Sequence, residues 1–201
     1  MDMTPTLLLH GIRSRHQGRR TMGGLRKKLR GLGIPVEIVS YGYIAMPVTN
    51  NIAVNTAMEA ITKASRNGPG RVDVVGYSNG GNTALTCAEL GAPIRHLHLI
   101  SNPLPRTPYF PPHLETITVY FCPDDEVIRT GRVYAAAQRI FPWRWFSPHL
   151  YWQAQLGRRG YDGVDPRVEN VQYNGVGHYY FQHEEAVAKT AQRIKKKRAN
   201  D

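Results

Sequence analysis

Short apolar runs bounded by turn residues alternate with helix-period segments along almost all of this 201-residue chain. That alternation constrains the fold more than any other feature. Thr6 to Leu9 reads as a buried strand, followed by a basic helix with Leu25, Leu29 and Leu32 on one face. Val36 to Tyr41 reads as a second strand and Ala53 to Ser65 as a helix, stopped by Asn67-Gly68-Pro69-Gly70. A strand over Val72 to Val75, a helix over Asn79 to Leu90, and strands over His96 to Ser101 and Thr116 to Phe121 follow. A helix near Gly131 to Ile140, a short strand at Val168 to Tyr173 and a helix from Glu184 complete the series.

Strands that alternate with helices need crossover connections, so the expected fold is α/β: a mostly parallel sheet of about six strands with helices on both faces. The whole of 1–201 is expected to form one domain, with a basic C-terminal tail from about 193. A chain of this size buries roughly 70% of the surface it exposes when unfolded, enough for a core of its own. In such sheets the reactive residues gather just past the carboxyl ends of the strands.

One stretch meets that criterion first. In Val74-Val75-Gly76-Tyr77-Ser78-Asn79-Gly80-Gly81, Ser78 stands between a strand and a helix. A tight strand-to-helix turn crowds its neighbours, and glycines at 76 and 80 remove the side chains that would collide. A serine hydroxyl needs a base within hydrogen-bond reach to act as a nucleophile. His178, in Gly175-Val176-Gly177-His178, follows the last expected strand. An orienting carboxylate is available from Asp124 or Asp125, again just past a strand. The amides of Asn79 and Ile12 are candidates for holding an oxyanion, where one lost donor costs about 3–4 kcal/mol. His96 and His98 share one strand face but lack companions at metal-ligand spacing, so no metal is expected, nor any organic cofactor.

The segments "LLLHG", "GYSNGG", "FCPDDEVI" and "GVGH", in this order, resemble the α/β-hydrolase fold superfamily, and the likeness spans Thr6 to His178. The resemblance implies Ser78 as nucleophile, His178 as base and Asp125 as acid, the last because the family's acid lies just before an apolar pair, here Val127-Ile128. It implies a minimal version of the fold without the usual first hairpin and without a large cap, similar to compact serine esterases and lipases. The expected activity is hydrolysis of a carboxylic ester or thioester through an acyl-enzyme. The competing expectations are acyl transfer, or a non-catalytic protein whose basic face binds nucleic acid or an anionic membrane or polymer.

Composition narrows the partners. Hydrophobic residues at 41% with charged residues at 20% exclude a disordered chain. Net charge is +11, concentrated in Arg13 to Arg30 and in Arg193 to Arg198. Such runs attract polyanions: nucleic acid, anionic lipid or an acidic polymer. No obligate protein partner is implied. Trp143, Trp145, Phe146, Tyr151 and Trp152 cluster in one irregular stretch; Tyr77, Trp143 and Trp145 are candidates for contact with an apolar, lipid-like ester. Cys87 and Cys122 are too few for a disulfide framework and read as buried thiols. No signal-like leader or membrane-length apolar run is seen, so a cytoplasmic protein is expected, with other export routes left open.

Overall fold

A computed structural model describes residues 4–11, 18–41, 50–68, 70–129 and 155–199. Strands β1 (Thr6–Leu9), β2 (Val36–Val39), β3 (Val72–Tyr77), β4 (Ile94–Ile100), β5 (Thr116–Phe121) and β6 (Val168–Gln172) form one parallel sheet. Its order is β2-β1-β3-β4-β5-β6. The helices are α1 (Arg19–Gly31), α2 (Asn50–Arg66), α3 (Asn79–Glu89), the single turn α4 (Leu156–Arg159) and α5 (Glu184–Ala199). None is long and apolar enough to cross a membrane.

The four inner strands, β1, β3, β4 and β5, are buried on both faces, and their successive residues feed opposite layers. Leu7, Leu9, Val74, Leu97 and Leu99 pack with α2 and α3 through Ala53, Ala57, Ile61, Leu85 and Ala88. Leu8, Val75, Tyr77, Ile100 and Tyr120 pack with α1 and α5 through Met22, Leu25, Leu29, Val187, Ala191 and Ile194. β1 lies between β2 and β3, so the direction of winding reverses there. The carboxyl ends of β1 and β3 flank this switch point, where parallel sheets open a crevice.

Several boundaries differ from the sequence reading. β2 stops at Val39 because Tyr41 leaves the sheet: its ring stacks on His10 at 4.2 Å between centroids and its hydroxyl donates to the His10 carbonyl. β3 runs on to Tyr77, since Gly76 and Tyr77 still pair with Leu99 and Ile100. α2 begins three residues early, at Asn50. The helix expected near 131–140 lies outside the described residues.

The largest correction concerns the basic tail. Residues 193–199 are the last turns of α5, not a tail. Val187, Ala191, Ile194 and Arg198 form one buried stripe along that helix. The Arg198 guanidinium reaches Asp73 on β3 at 2.8 Å, Thr6 Oγ1 at 3.1 Å and the Thr4 carbonyl at 2.6 Å. Arg95 approaches the other Asp73 oxygen at 3.4 Å. Burial pushes the Asp73 carboxyl up, against the opposing pull of His96, Arg198 and Arg95. Arg193 and Lys197 pair with Glu169 on β6.

Candidate active site

Ser78, between β3 and α3, holds φ 51 and ψ −127, a conformation an L-residue adopts at a cost of about 1–3 kcal/mol. It persists because the surroundings leave no alternative. A Cβ at Gly76 would lie 2.6 Å from the Gly81 Cα, and one at Gly80 within 2.7 Å of the Leu9 carbonyl carbon. Strand β3, helix α3 and the end of β1 therefore close to backbone contact around the serine. The Ser78 amide donates to the Ile100 carbonyl at 2.9 Å, and its carbonyl accepts from the Gly81 amide at 3.0 Å. Asn102, past the end of β4, adds a clamp: its Nδ2 donates to the Ser78 carbonyl at 2.6 Å and to the Gly76 carbonyl at 3.2 Å.

His178 and Asp125 meet at the same edge. Nδ1 of His178 lies 2.9 Å from Oδ2 of Asp125, whose side chain is wholly buried. The other Asp125 oxygen accepts from the Ile128 amide at 2.9 Å, which fixes the carboxylate plane. A carboxylate only accepts, so Nδ1 carries the proton, and in the neutral ring Nε2 keeps its lone pair. Asp124 points elsewhere: it is exposed and accepts from the Gly175 amide at 3.2 Å. Of the two adjacent acids, Asp125 is the one joined to the imidazole, and Asp124 shapes the loop before it. The Gly177 amide donates to Cys122 Sγ at 3.3 Å, a further tie on that loop.

Tyr77 does not face open solvent. It is buried, donates from its hydroxyl to the His178 carbonyl at 2.7 Å, and sits 5.3 Å from the imidazole and edge-on to Phe181 at 4.7 Å. The polar end of Tyr77 is thus engaged by the loop that carries His178. Asn79 is the first residue of α3, so its amide lies at the helix N-terminus. Ile12, Trp143 and Trp145 lie outside the described residues. Gly11, next to Ile12, does reach the site: a Cβ there would sit 2.8 Å from Ser78 Cβ and 3.2 Å from Oγ. Sequence reasoning missed Gly11 and Asn102. Both follow strand ends, the same signal that found Ser78, Asp125 and His178.

His96 and His98 are both buried beneath α5, with His96 Nδ1 2.8 Å from Thr116 Oγ1. Among the described residues no group of three or more His, Cys, Asp or Glu side chains is arranged to hold a metal ion. Both cysteines are free and buried, and burial pushes the Cys87 thiol up to about 12.

No protein-family model and no curated protein matches the sequence. Solved structures match nearly its full length. A protein assigned to the α/β hydrolase superfamily from Xanthomonas campestris pv. campestris is 19% identical, with a TM-score of 0.61 over 96% of this chain and 99% of that one. An α/β serine hydrolase without a lid from Xanthomonas campestris is 14% identical, with a TM-score of 0.62 over 96% and 81%. The esterase domain of a Rhodothermus marinus protein is 12% identical, with a TM-score of 0.58 over 96% and 85%. With its sheet order and strand-to-helix turn, the chain thus has the α/β-hydrolase fold.

Proposed function

We propose that the protein is a serine hydrolase that cleaves a carboxylic ester or thioester through an acyl-enzyme. The observation that carries this reading is the conjunction at one sheet edge of a strained Ser78 and an imidazole held by a buried carboxylate at 2.9 Å. Ser78 Oγ attacks the carbonyl carbon while His178 Nε2 takes its proton. The negative charge that develops on the carbonyl oxygen faces the Asn79 amide, where the α3 dipole favours it. Asp125 holds the imidazole tautomer and steadies the cation formed. Collapse expels the alcohol or thiol, which receives the proton from His178. Water then repeats the sequence on the acyl-serine and releases the acid. Structural neighbours called a serine hydrolase and an esterase support this chemistry.

Labelling with a fluorophosphonate probe tests it. The wild type should label and Ser78→Ala should not, and a panel of esters of varied acyl length then defines the substrate. Equal labelling of both proteins would overturn the assignment.

A further inference from the structure

Helices α1 and α5 lie side by side on one face of the sheet. They share an apolar layer, a Cβ at Gly24 would lie 4.0 Å from Val187 Cγ1, and Lys28 bridges to Glu184 at 2.7 Å. Together they carry twelve cations against two acids, a balance of +10. The remaining residues hold 14 cations against 13 acids, so nearly all of the chain's +11 sits on these two helices.

The acids near this face are already engaged. Glu184 pairs with Lys28, Glu185 with Lys189, and Glu169 with both Arg193 and Lys197. Arg19, Arg20, Lys195 and Lys196 remain exposed and form no ion pair with an acid among the described residues; Lys27 is exposed too, and only its field reaches Glu184, which Lys28 already pairs. Between them the solvent side is low in relief, with Gly23, Gly24, Gly31 and Ala188, so the long cations are its highest points.

We infer that this face docks on an anionic lipid bilayer. Helices of 13 and 16 residues run for roughly 20 Å each, so their cations spread over a surface and cannot converge on one small anion. Neither helix has an aromatic side chain to stack a base, which disfavours single-stranded nucleic acid. A low, broad, positive face fits a planar negative one, and the attraction is set by charge rather than by inserted apolar side chains.

The face also adjoins the candidate active site. α1 starts at Gly18, where a Cβ would meet the His10 ring at 2.6 Å, and Gly11 beside His10 lies against Ser78. Arg19 and Arg20 therefore mark the end of the face nearest the serine. Resting on the ester-hydrolase reading, docking here brings Ser78 to ester bonds at the surface of an anionic lipid layer.

The test is flotation of the protein with phosphatidylcholine vesicles made with and without phosphatidylserine. Binding should require phosphatidylserine and should vanish at 1 M salt, where the screening length falls to about 3 Å. Each of Lys27→Gln, Lys195→Gln and Lys196→Gln should weaken it about fivefold, and the triple variant should abolish it. Lys63→Gln with Arg66→Gln, on α2 across the sheet, should leave it intact. Three results would overturn the inference: equal binding to both vesicles, equal loss from the α2 variant, or duplex DNA bound more tightly than the vesicles at the same salt. Ser78→Ala should still bind the vesicles, so failure of the ester-hydrolase reading and failure of docking are separate outcomes.

Discussion

The hydroxyl of Tyr77 donates to the backbone carbonyl of His178 at 2.7 Å, so the residue before the serine holds the loop that carries the imidazole. Strand β3 and the 175–178 loop are thereby joined by a bond that uses neither the Ser78 hydroxyl nor the His178 imidazole. Tyr77→Phe keeps the ring against Phe181 and removes only the donor. One hydrogen bond contributes about 0.5–1.5 kcal/mol, so the fluorophosphonate labelling rate should fall about two- to tenfold. A lowered melting temperature with an unchanged labelling rate would show that the bond serves stability alone.

Asn102 satisfies two carbonyls of the turn with one amide. In Asn102→Ala both the Ser78 and Gly76 carbonyls lose that donor within a buried site. The Ser78 carbonyl keeps its bond from the Gly81 amide, so urea denaturation should show the loss of the two hydrogen bonds themselves, about 0.5–1.5 kcal/mol each. Labelling should slow as well, because the Ser78 carbonyl is no longer held against the strained φ.

The glycines divide into two kinds. Gly80→Ala drives a methyl into the Leu9 carbonyl, and Gly76→Ala drives one into the backbone of Gly80 and Gly81. Overpacking against backbone should cost about 3 kcal/mol or more and abolish labelling. Gly23, inside α1, has nothing within 4 Å of the position a Cβ would take. Gly23→Ala should raise stability by about 0.5–1 kcal/mol, through helix propensity and a restricted unfolded chain. Thermal melts of the three variants side by side check the contrast.

The parallel sheet and its six strands were legible because apolar runs and turn residues report local geometry directly. What was not legible depended on tertiary partners. Asp124 and Asp125 are chemically alike in sequence, and only the path of the 175–178 loop brings one of them to His178. Nothing local shows that the Tyr77 hydroxyl is already engaged. Arg198 was read as part of a basic tail, yet Val187, Ala191 and Ile194 precede it at helical spacing on the buried stripe. That periodicity was present in the sequence; the charge outweighed it.

Arg198 gives a sharp test of that correction. Removing one partner of a buried ion pair costs about 3–5 kcal/mol where the other is left uncompensated, and here Arg95, 3.4 Å from the other Asp73 oxygen, retains part of that compensation. Arg198→Met should therefore destabilise by up to that amount, whereas neutralising the neighbouring exposed Lys196 should change stability by less than about 0.5 kcal/mol. Adding Asp73→Leu to Arg198→Met should recover much of the loss, since the stranded carboxylate is gone. Equal, small effects at 196 and 198 in chemical denaturation would restore the frayed-tail reading.

His98 sets a pH dependence of known sign. Burial, followed by the fields of His96, Lys197 and Arg198, pulls its folded-state value down to about 3 from the ordinary 6.5. Between those values the unfolded chain binds a proton at this position and the folded chain does not. Stability from this group is therefore fully present above about 6.5 and is lost as pH falls towards 3, at up to about 1.4 kcal/mol per pH unit. His98→Gln removes the titration. Urea midpoints measured from pH 7.5 down to about 4.5 should fall more steeply for the wild type than for the variant. Parallel profiles would mean that His98 takes up its proton without unfolding, through water admitted beneath α5.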